Sequence, residues 1–335
     1  CAAGASGGDL PLCELCEPRA SLPGPFAGHG GPAGAKGPAG CLPRRARILC
    51  LHGFRQTSKQ LQGRMAGLRK KMKDVAEFVY ADAPHELPLW FKPPHEEPQT
   101  PIGASAEEGG ASNEVAGPMP NLRRPRRSWL VTRQTLKAIE MRGASKGPEA
   151  WEYAPPSCDR CQLEHETEGW AASWQVLQEV LETRGPFDGI MGFSQGAAVA
   201  AYLCALRHLT LSSGDFWSEP ALRECDGARE LLPSLDLKFV WICSGYRLPL
   251  LREKVESLLL DDAVGPISLP SLHVYGSQDR DDQVAAEESV MLMHLFDESN
   301  RVSLSHAGGH VIPCNRESVE HYSSFLRRAM AKDLP

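Results

Sequence analysis

The chain has 335 residues, of which 42% are hydrophobic and 23% are charged, and its formal net charge is −6. The apolar content is sufficient for the core of one α/β domain of about 200 to 220 residues. The small negative charge gives no reason to expect nucleic-acid binding, and no stretch has the roughly 18 apolar residues of a membrane span. We therefore expect a small-molecule partner.

The N-terminal residues 1–45 are rich in Gly, Pro and Ala and contain no apolar segment of signal-peptide type. We expect a disordered tail there, followed by a single domain over residues 46–332. Two C-x-x-C pairs, at 13–16 and 158–161, raise the alternatives of zinc or disulfides. They are too far apart in the sequence for an ordinary zinc module, so free cysteines in a reducing compartment are the simpler expectation.

Strand-like and helix-like segments alternate through the rest of the chain. Such alternation is typical of a mainly parallel sheet that helices cover on both faces, with right-handed crossovers. The predicted fold class is therefore α/β. The predicted strands are 47–52, 76–81, 187–193, 237–243, 269–276 and 302–306, and the predicted helices are 61–72, 170–182, 195–208, 284–296 and 317–330.

Residues 92–169 interrupt the alternation. They are rich in Pro, Gly, Glu and Ser and show little periodicity, so we expect an irregular or disordered insertion, with a lid as the alternative. The basic run at 123–127 is interpreted as a solvated loop; a nuclear-import or polyanion-binding role is the alternative. A shorter irregular insert is expected at 211–236. The cytoplasm is the expected compartment, with the nucleus as a second one.

The pentapeptide 192–196, Gly-Phe-Ser-Gln-Gly, joins a predicted strand to a predicted helix of small residues. This is the G-x-S-x-G pattern in the strand–turn–helix setting of a nucleophile elbow. A serine on such a turn is held in strained backbone with its hydroxyl clear of the sheet. Ser194 is therefore the candidate nucleophile, and an ordinary serine in a Gly-rich turn is the alternative.

A serine nucleophile needs a base and an orienting acid, which follow it in the order Ser, Asp, His in this type of fold. Asp279 lies just past a predicted strand and is the candidate acid, with Asp281 and Asp282 as competitors in the same loop. His310 follows a Gly-Gly turn after the last predicted strand and is the candidate base. His306 is its rival, but it lies on the strand itself rather than beyond the strand end.

An oxyanion hole requires backbone amides close to the nucleophile. The amide of Gln195, at the predicted helix N-terminus, is one candidate donor, and the amide of Phe54, after the first predicted strand, is the other. His52 precedes Ser194 in the chain, so we interpret it as a structural turn residue rather than as the base.

Four segments carry a resemblance to a known family: LCLHGFRQ at 49–56, GPFDGIMGFSQGAA at 185–198, SLPSLHVYGSQD at 268–279 and HAGGHVIP at 306–313. Together they resemble the eukaryotic family of serine hydrolases with the α/β-hydrolase fold. The resemblance implies hydrolysis of carboxylic esters, with a preference for long chains, by a triad of Ser194, Asp279 and His310. That chemistry proceeds through an acyl-enzyme and requires neither a metal nor an organic cofactor.

The substrate pocket is less well indicated. The family's paired-tryptophan stretch corresponds here to Trp90 and Phe91, with Trp129 as another candidate. Together with Phe54, Trp90 and Phe91 are candidate walls of an apolar trough for the acyl group, and the alternative is that all three are plain core aromatics. Two other functions stay open: a thioesterase or peptidase on the same scaffold, and a binding protein without turnover.

Overall fold

The structure is a computed structural model that describes residues 44–87, 91–92, 126–141, 152–153, 163–212, 217, 227–277 and 284–331. These residues all fall within one compact unit, Arg44–Pro335. Apart from Arg44 and Arg45, the predicted tail lies outside the described residues, as do both C-x-x-C pairs.

The centre of the fold is a six-stranded sheet in which every pair of neighbours is parallel. The carboxyl ends of all six strands therefore lie at one edge. Candidate site residues follow four of these strands and therefore converge at that edge. In their spatial order across the sheet the strands are β10 (Arg301–His306), β9 (Ser271–Gly276), β8 (Phe239–Cys243), β7 (Gly189–Phe193), β1 (Ala46–Leu51) and β2 (Ala76–Ala81).

Helices cover both faces of the sheet, which confirms the predicted fold class. Every residue of β7 and β8 is buried, as expected for central parallel strands. Alternate residues of β1 enter two separate cores: Leu49 and Leu51 pack into one, and Ile48 and Cys50 pack into the other.

The helix after the candidate nucleophile runs from Gln195 to Ser212 and is buried along most of its length. Its run of alanines allows it to pack closely on the sheet, and alanine also has the highest helix propensity. The helices are α1 (Ser58–Arg64), α2 (Ala66–Lys71), α3 (Arg133–Met141), α4 (Trp170–Arg184), α5 (Gln195–Ser212), α6 (Ala228–Ser234), α7 (Pro249–Lys254), α8 (Glu256–Leu259), α9 (Ala286–Met293) and α10 (Arg316–Ala331).

Two short antiparallel pairs lie outside the main sheet. One joins β3 (His85–Glu86) to β5 (Arg127–Ser128), and the other joins β4 (Phe91–Lys92) to β6 (Glu152–Tyr153). β5 lies in a segment, residues 126–131, which we call the strap.

The strap and α3 lie within the predicted irregular insertion, so the structure differs from that expectation over residues 126–141. The strap is ordered by contacts with distant parts of the chain: the backbone of Arg127 pairs with Gln56, and that of Val131 pairs with Glu168. It also buries Trp129 and Leu130 completely. Such contacts leave no periodicity in the local sequence. In the insert predicted at 211–236, the structure has the end of α5 and all of α6.

Candidate active site

Ser194 lies on a one-residue turn between β7 and α5. Its backbone is in the left-handed region, with a φ of 56°, and the residue is only 9% exposed. Its amide donates a hydrogen bond to the carbonyl of Cys243 at 2.9 Å, which ties the turn to the end of β8. For a residue other than glycine this conformation costs about 1–2 kcal/mol, so the surrounding packing must maintain it.

Both glycines of the pentapeptide are required by close contacts of the backbone. A Cβ on Gly192 would lie 2.2 Å from the carbonyl oxygen of Gly196. A Cβ on Gly196 would lie 2.3 Å from the carbonyl oxygen of Leu51. The turn is thus pressed against the end of β1, which carries the loop with the second candidate oxyanion donor.

That loop is adjacent to the nucleophile turn. A Cβ built on Gly53 would lie 3.0 Å from the Cβ of Ser194, so the amide of the next residue, Phe54, belongs to the same neighbourhood. The other candidate donor, the amide of Gln195, is in the first turn of α5. The helix dipole adds partial positive charge there, which favours a developing oxyanion.

The imidazole of His52 holds this loop in place. Its Nε2 accepts a hydrogen bond from the amide of Ala83 at 3.0 Å, so the proton must be on Nδ1, which donates to the carbonyl of Gly53 at 2.9 Å. Burial lowers the pKa of His52, which keeps the ring neutral. Both nitrogens are occupied by backbone groups, in agreement with a structural role.

His310 lies beside the residue that precedes the candidate nucleophile. Its ring centroid is 4.8 Å from that of Phe193, with the planes tilted by 40°. The turn before His310 lies close to the end of β9: a Cβ on Gly276 would be 2.4 Å from the carbonyl oxygen of Gly309. The ends of β7, β9 and β10 therefore meet around the predicted base.

The rival histidine, His306, has a local role in the same turn. Its Nδ1 accepts a hydrogen bond from the amide of Gly308 at 3.1 Å, and partial burial lowers the pKa of the ring. A ring that caps its own turn in this way is held along the strand end. The choice of His310 over His306 as the base stays a prediction.

The predicted acid and most of the predicted pocket cannot be located in the same way. Asp279 and its competitors Asp281 and Asp282 lie outside the described residues, as does Trp90. For Phe91 the structure describes the backbone, in β4, and not the side chain. These residues stay predictions.

The strap contributes a tryptophan to the site that sequence reasoning considered only as a pocket candidate. Trp129 is completely buried, and its Nε1 donates to the carbonyl of His52 at 2.9 Å. Its ring also lies against the imidazole of His52, with centroids 5.5 Å apart. Through these contacts with His52, Trp129 stabilises the loop that carries the Phe54 amide.

The side chain of Gln195 was also missed, because the sequence motif assigns a role only to its backbone. Its Oε1 accepts hydrogen bonds from the amide of Trp129 at 2.8 Å and from the hydroxyl of Ser128 at 2.9 Å. The residue after the nucleophile thus anchors the strap. No local pattern in the sequence could have indicated a contact across 66 positions.

Two searches over the described ranges bear on other kinds of site. None of the helices there is long and apolar enough to cross a membrane. Within the same ranges, no cluster of three or more His, Cys, Asp or Glu side chains has an arrangement that could hold a metal ion.

Comparison with known proteins finds relatives over most of the chain. The family model described as serine hydrolase (FSH1) matches residues 42–322. Esterase OVCA2 of Homo sapiens is 32% identical over 285 residues, which cover 84% of this chain and 96% of the human protein. Rhodanese-like domain-containing protein 6 of Arabidopsis thaliana is 32% identical over 323 residues, which cover 95% of this chain but only 45% of the plant protein.

Among solved structures, acyl-protein thioesterase 2 of Zea mays aligns with a TM-score of 0.44 and 18% identity, over 85% of this chain and 94% of the maize chain. The family match and the similarity to OVCA2, the ovarian-cancer-associated esterase, confirm the resemblance that the four motifs indicate.

Proposed function

Because the chain belongs to the FSH1 family of serine hydrolases, we propose that it hydrolyses carboxylic esters through Ser194, Asp279 and His310. The observation that carries this proposal is the backbone of Ser194, strained at a φ of 56° between a buried strand and a helix N-terminus. A turn of this kind presents a hydroxyl above the strand ends, where a substrate can reach it. The contact of His310 with Phe193 supports the choice of base.

The proposed reaction has two halves. In the first, His310 takes the proton of the Ser194 hydroxyl as its oxygen attacks the ester carbonyl, and Asp279 holds the imidazole in one tautomer. The amides of Phe54 and Gln195 donate to the oxyanion of the tetrahedral intermediate. His310 then protonates the departing alcohol, and an acyl-enzyme remains.

In the second half, His310 removes a proton from water as the water oxygen attacks the acyl-enzyme carbonyl. The bond to the Ser194 oxygen then breaks, His310 returns the proton to that oxygen, and the carboxylic acid is released. The ester, one water molecule and the protein groups account for every atom and proton in these steps, so the proposal includes no metal and no organic cofactor. The proposed substrates are long-chain esters, whose acyl groups would lie along a trough that includes Phe54, Trp90 and Phe91.

We place this activity in the cytoplasm, with the nucleus as a second compartment. The four cysteines that the structure describes as free thiols, Cys50, Cys204, Cys243 and Cys314, are consistent with reducing conditions. Burial raises the pKa of the Cys204 thiol to about 12, so it is an unreactive core residue. Fractionation of cells that express the tagged protein would test the location.

The direct test is labelling with a fluorophosphonate probe, which reacts covalently with activated serines. The wild-type protein should be labelled at Ser194, as read by mass spectrometry of the labelled peptide. Ser194→Ala should abolish labelling and lower turnover of a p-nitrophenyl ester by about 10⁴-fold or more. If folded wild-type protein is not labelled, the chain is a binding protein without turnover.

A matched control is available at the end of β8. Ser244 is also buried, at 3% exposure, and also left-handed, with a φ of 49°. Ser244→Ala should therefore keep both labelling and turnover, because the proposal assigns the nucleophile to a single serine. Equal losses in Ser244→Ala and Ser194→Ala would show that the effect is structural.

The acid can be identified by substituting each of the three candidates in turn. Asp279→Asn should lower kcat by about 10⁴-fold, because the imidazole would then be held in the wrong tautomer. Asp281→Asn and Asp282→Asn should leave kcat within a few fold of the wild-type value. A large loss in either of these, with Asp279→Asn active, would move the assignment.

The leaving group and chain length are tested by substrate comparison. Oxygen esters, thioesters and amides with acyl chains of matched length should show the highest kcat/KM for oxygen esters. Among these, kcat/KM should rise with chain length. Equal values for short and long chains would remove the long-chain preference, and higher values for thioesters or amides would favour the alternative activity on the same scaffold.

A further inference from the structure

The side-chain amide of Gln195 is fixed in one orientation by groups that can only donate or only accept. The amide of Trp129 can only donate, so it must face Oε1, and the carbonyl of Leu130, at 2.9 Å, can only accept, so it must face Nε2. The second hydrogen on Nε2 points to Oε2 of Glu166, at 2.7 Å. Both donors of this amide group are therefore occupied.

Glu166 is a completely buried carboxylate that receives two donors on the same oxygen. Besides Nε2 of Gln195, its Oε2 accepts the hydroxyl proton of Tyr246 at 2.5 Å, and Tyr246 is itself 1% exposed. Removal of a carboxylate from water costs several kcal/mol, so a buried one requires hydrogen-bond donors such as these.

The two donors come from opposite sides of the candidate nucleophile. Gln195 follows Ser194 directly at the start of α5. Tyr246 comes three residues after Cys243, whose carbonyl accepts the hydrogen bond from the Ser194 amide at 2.9 Å. Glu166 thus joins the helix side of the nucleophile turn to its β8 side, through atoms that do not themselves reach the substrate.

From this geometry we propose that Glu166 is a positioning residue for the hydrolytic reaction: it holds Gln195 so that the backbone amide of that residue points at the developing oxyanion. The inference rests on the proposed function. The backbone of Gln195 lies between two restraints, the tight turn at Ser194 and the anchored side-chain amide. Glu166 supplies one of the hydrogen bonds of that anchored amide, so its removal loosens the second restraint and allows the first turn of α5 to shift.

The consequence is a specific kinetic pattern. An oxyanion donor acts on the transition state and hardly at all on the ground state, so its displacement lowers kcat and leaves KM nearly unchanged. A misplacement of about 1 Å at a reacting centre can cost about 10²-fold in rate. We expect Glu166→Ala to lower kcat by about 10- to 100-fold, with KM within about threefold of the wild-type value.

The experiment measures kcat, KM and the rate of fluorophosphonate labelling for wild-type protein, Glu166→Ala, Glu166→Gln and Tyr246→Phe. Glu166→Gln keeps the shape and one acceptor oxygen, so it should recover at least part of the rate lost in Glu166→Ala. Tyr246→Phe removes one of the two donors and should give a smaller loss of kcat. Labelling should slow in the same order, since the phosphonyl oxygen uses the same amides.

The matched control is Glu164→Gln, an exposed position two residues away in the same segment, which should behave like wild-type protein. Circular dichroism and thermal unfolding establish that each variant is folded. Should Glu166→Ala not fold, the near-isosteric Glu166→Gln and Tyr246→Phe carry the test, and unchanged kcat in both would overturn the inference.

Two further outcomes separate the inference from the proposed function. If wild-type protein neither labels at Ser194 nor hydrolyses esters, the proposed function fails before Glu166 is considered. If wild-type protein is active and folded Glu166→Ala keeps kcat within twofold, or changes only KM, Glu166 is a structural or substrate-binding residue and the inference is wrong.

Discussion

The close approach of Gly196 to the end of β1 leads to a quantitative prediction for Gly196→Ala. The new Cβ would lie 2.3 Å from the carbonyl oxygen of Leu51 and 2.6 Å from that of His52. Both obstacles are backbone atoms, which cannot rotate away. To reach 3.0 Å, the shortest separation that real Cβ atoms tolerate, α5 and the end of β1 must move apart by at least 0.7 Å (3.0 − 2.3).

This separation should affect activity more than stability. The end of β1 leads into Phe54, and the start of α5 is Gln195, so the two candidate oxyanion donors move apart. We expect kcat for a p-nitrophenyl ester to fall by about 10²-fold. Overpacking of this kind lowers the free energy of unfolding by about 1–3 kcal/mol, partly offset by the higher helix propensity of alanine.

The control substitution is Gly63→Ala, also in a helix, where a Cβ would have no atom within 4 Å. It should raise the free energy of unfolding by up to about 1 kcal/mol and leave kcat unchanged. Steady-state kinetics and urea unfolding on the two variants provide the comparison. The reasoning is refuted if folded Gly196→Ala keeps kcat within twofold of the wild-type value.

Two further predictions concern stability. Burial lowers the pKa of His273 from 6.5 to about 3, so below pH 6.5 the unfolded chain gains a proton that the folded protein does not, and stability falls towards pH 3. His273→Leu should remove about 1.4 kcal/mol per pH unit from this pH dependence of the free energy of unfolding, measured by urea unfolding. A folded His273→Leu variant with the pH dependence of the wild-type protein would contradict this. Asp188 is 5% exposed, and its carboxylate accepts a hydrogen bond from the amide of Arg47 at 2.7 Å. Asp188→Ala should therefore lower the free energy of unfolding by about 1–3 kcal/mol, whereas Arg44→Ala, which removes the exposed partner of the same carboxylate, should lower it by less than about 1 kcal/mol. The opposite order in urea unfolding would contradict the role of Asp188 as a buried acceptor.

Much of the fold was predictable because its signals are local. The central strands β7 and β8 are continuous apolar runs, and the alanine-rich sequence of α5 indicates a helix packed tightly on a sheet. Element ends were less predictable: the helix expected at 284–296 is α9, Ala286–Met293, in the structure. The hydrophobic pattern continues past helix ends, while hydrogen bonding does not.

The strap shows why part of the site could not be predicted. Its six residues follow a Pro-rich stretch and have no helical or strand periodicity of their own. Its order depends on acceptors and donors supplied by Gln195 and His52, which lie 66 and 77 positions away in the chain. Only the assembled sheet brings these groups to one place.

The sequence by itself determined that Ser194 lies where a strand turns into a helix, and that Gly192 and Gly196 flank it, since the choice of small residues and the hydrophobic pattern around a turn are local properties. Only the tertiary structure decided that His310 packs on Phe193 and that Glu166 reaches Gln195. Those contacts join segments that meet because parallel strands carry their following loops to one edge of the sheet. Which side chains touch there depends on the packing of the whole chain, which no local pattern records.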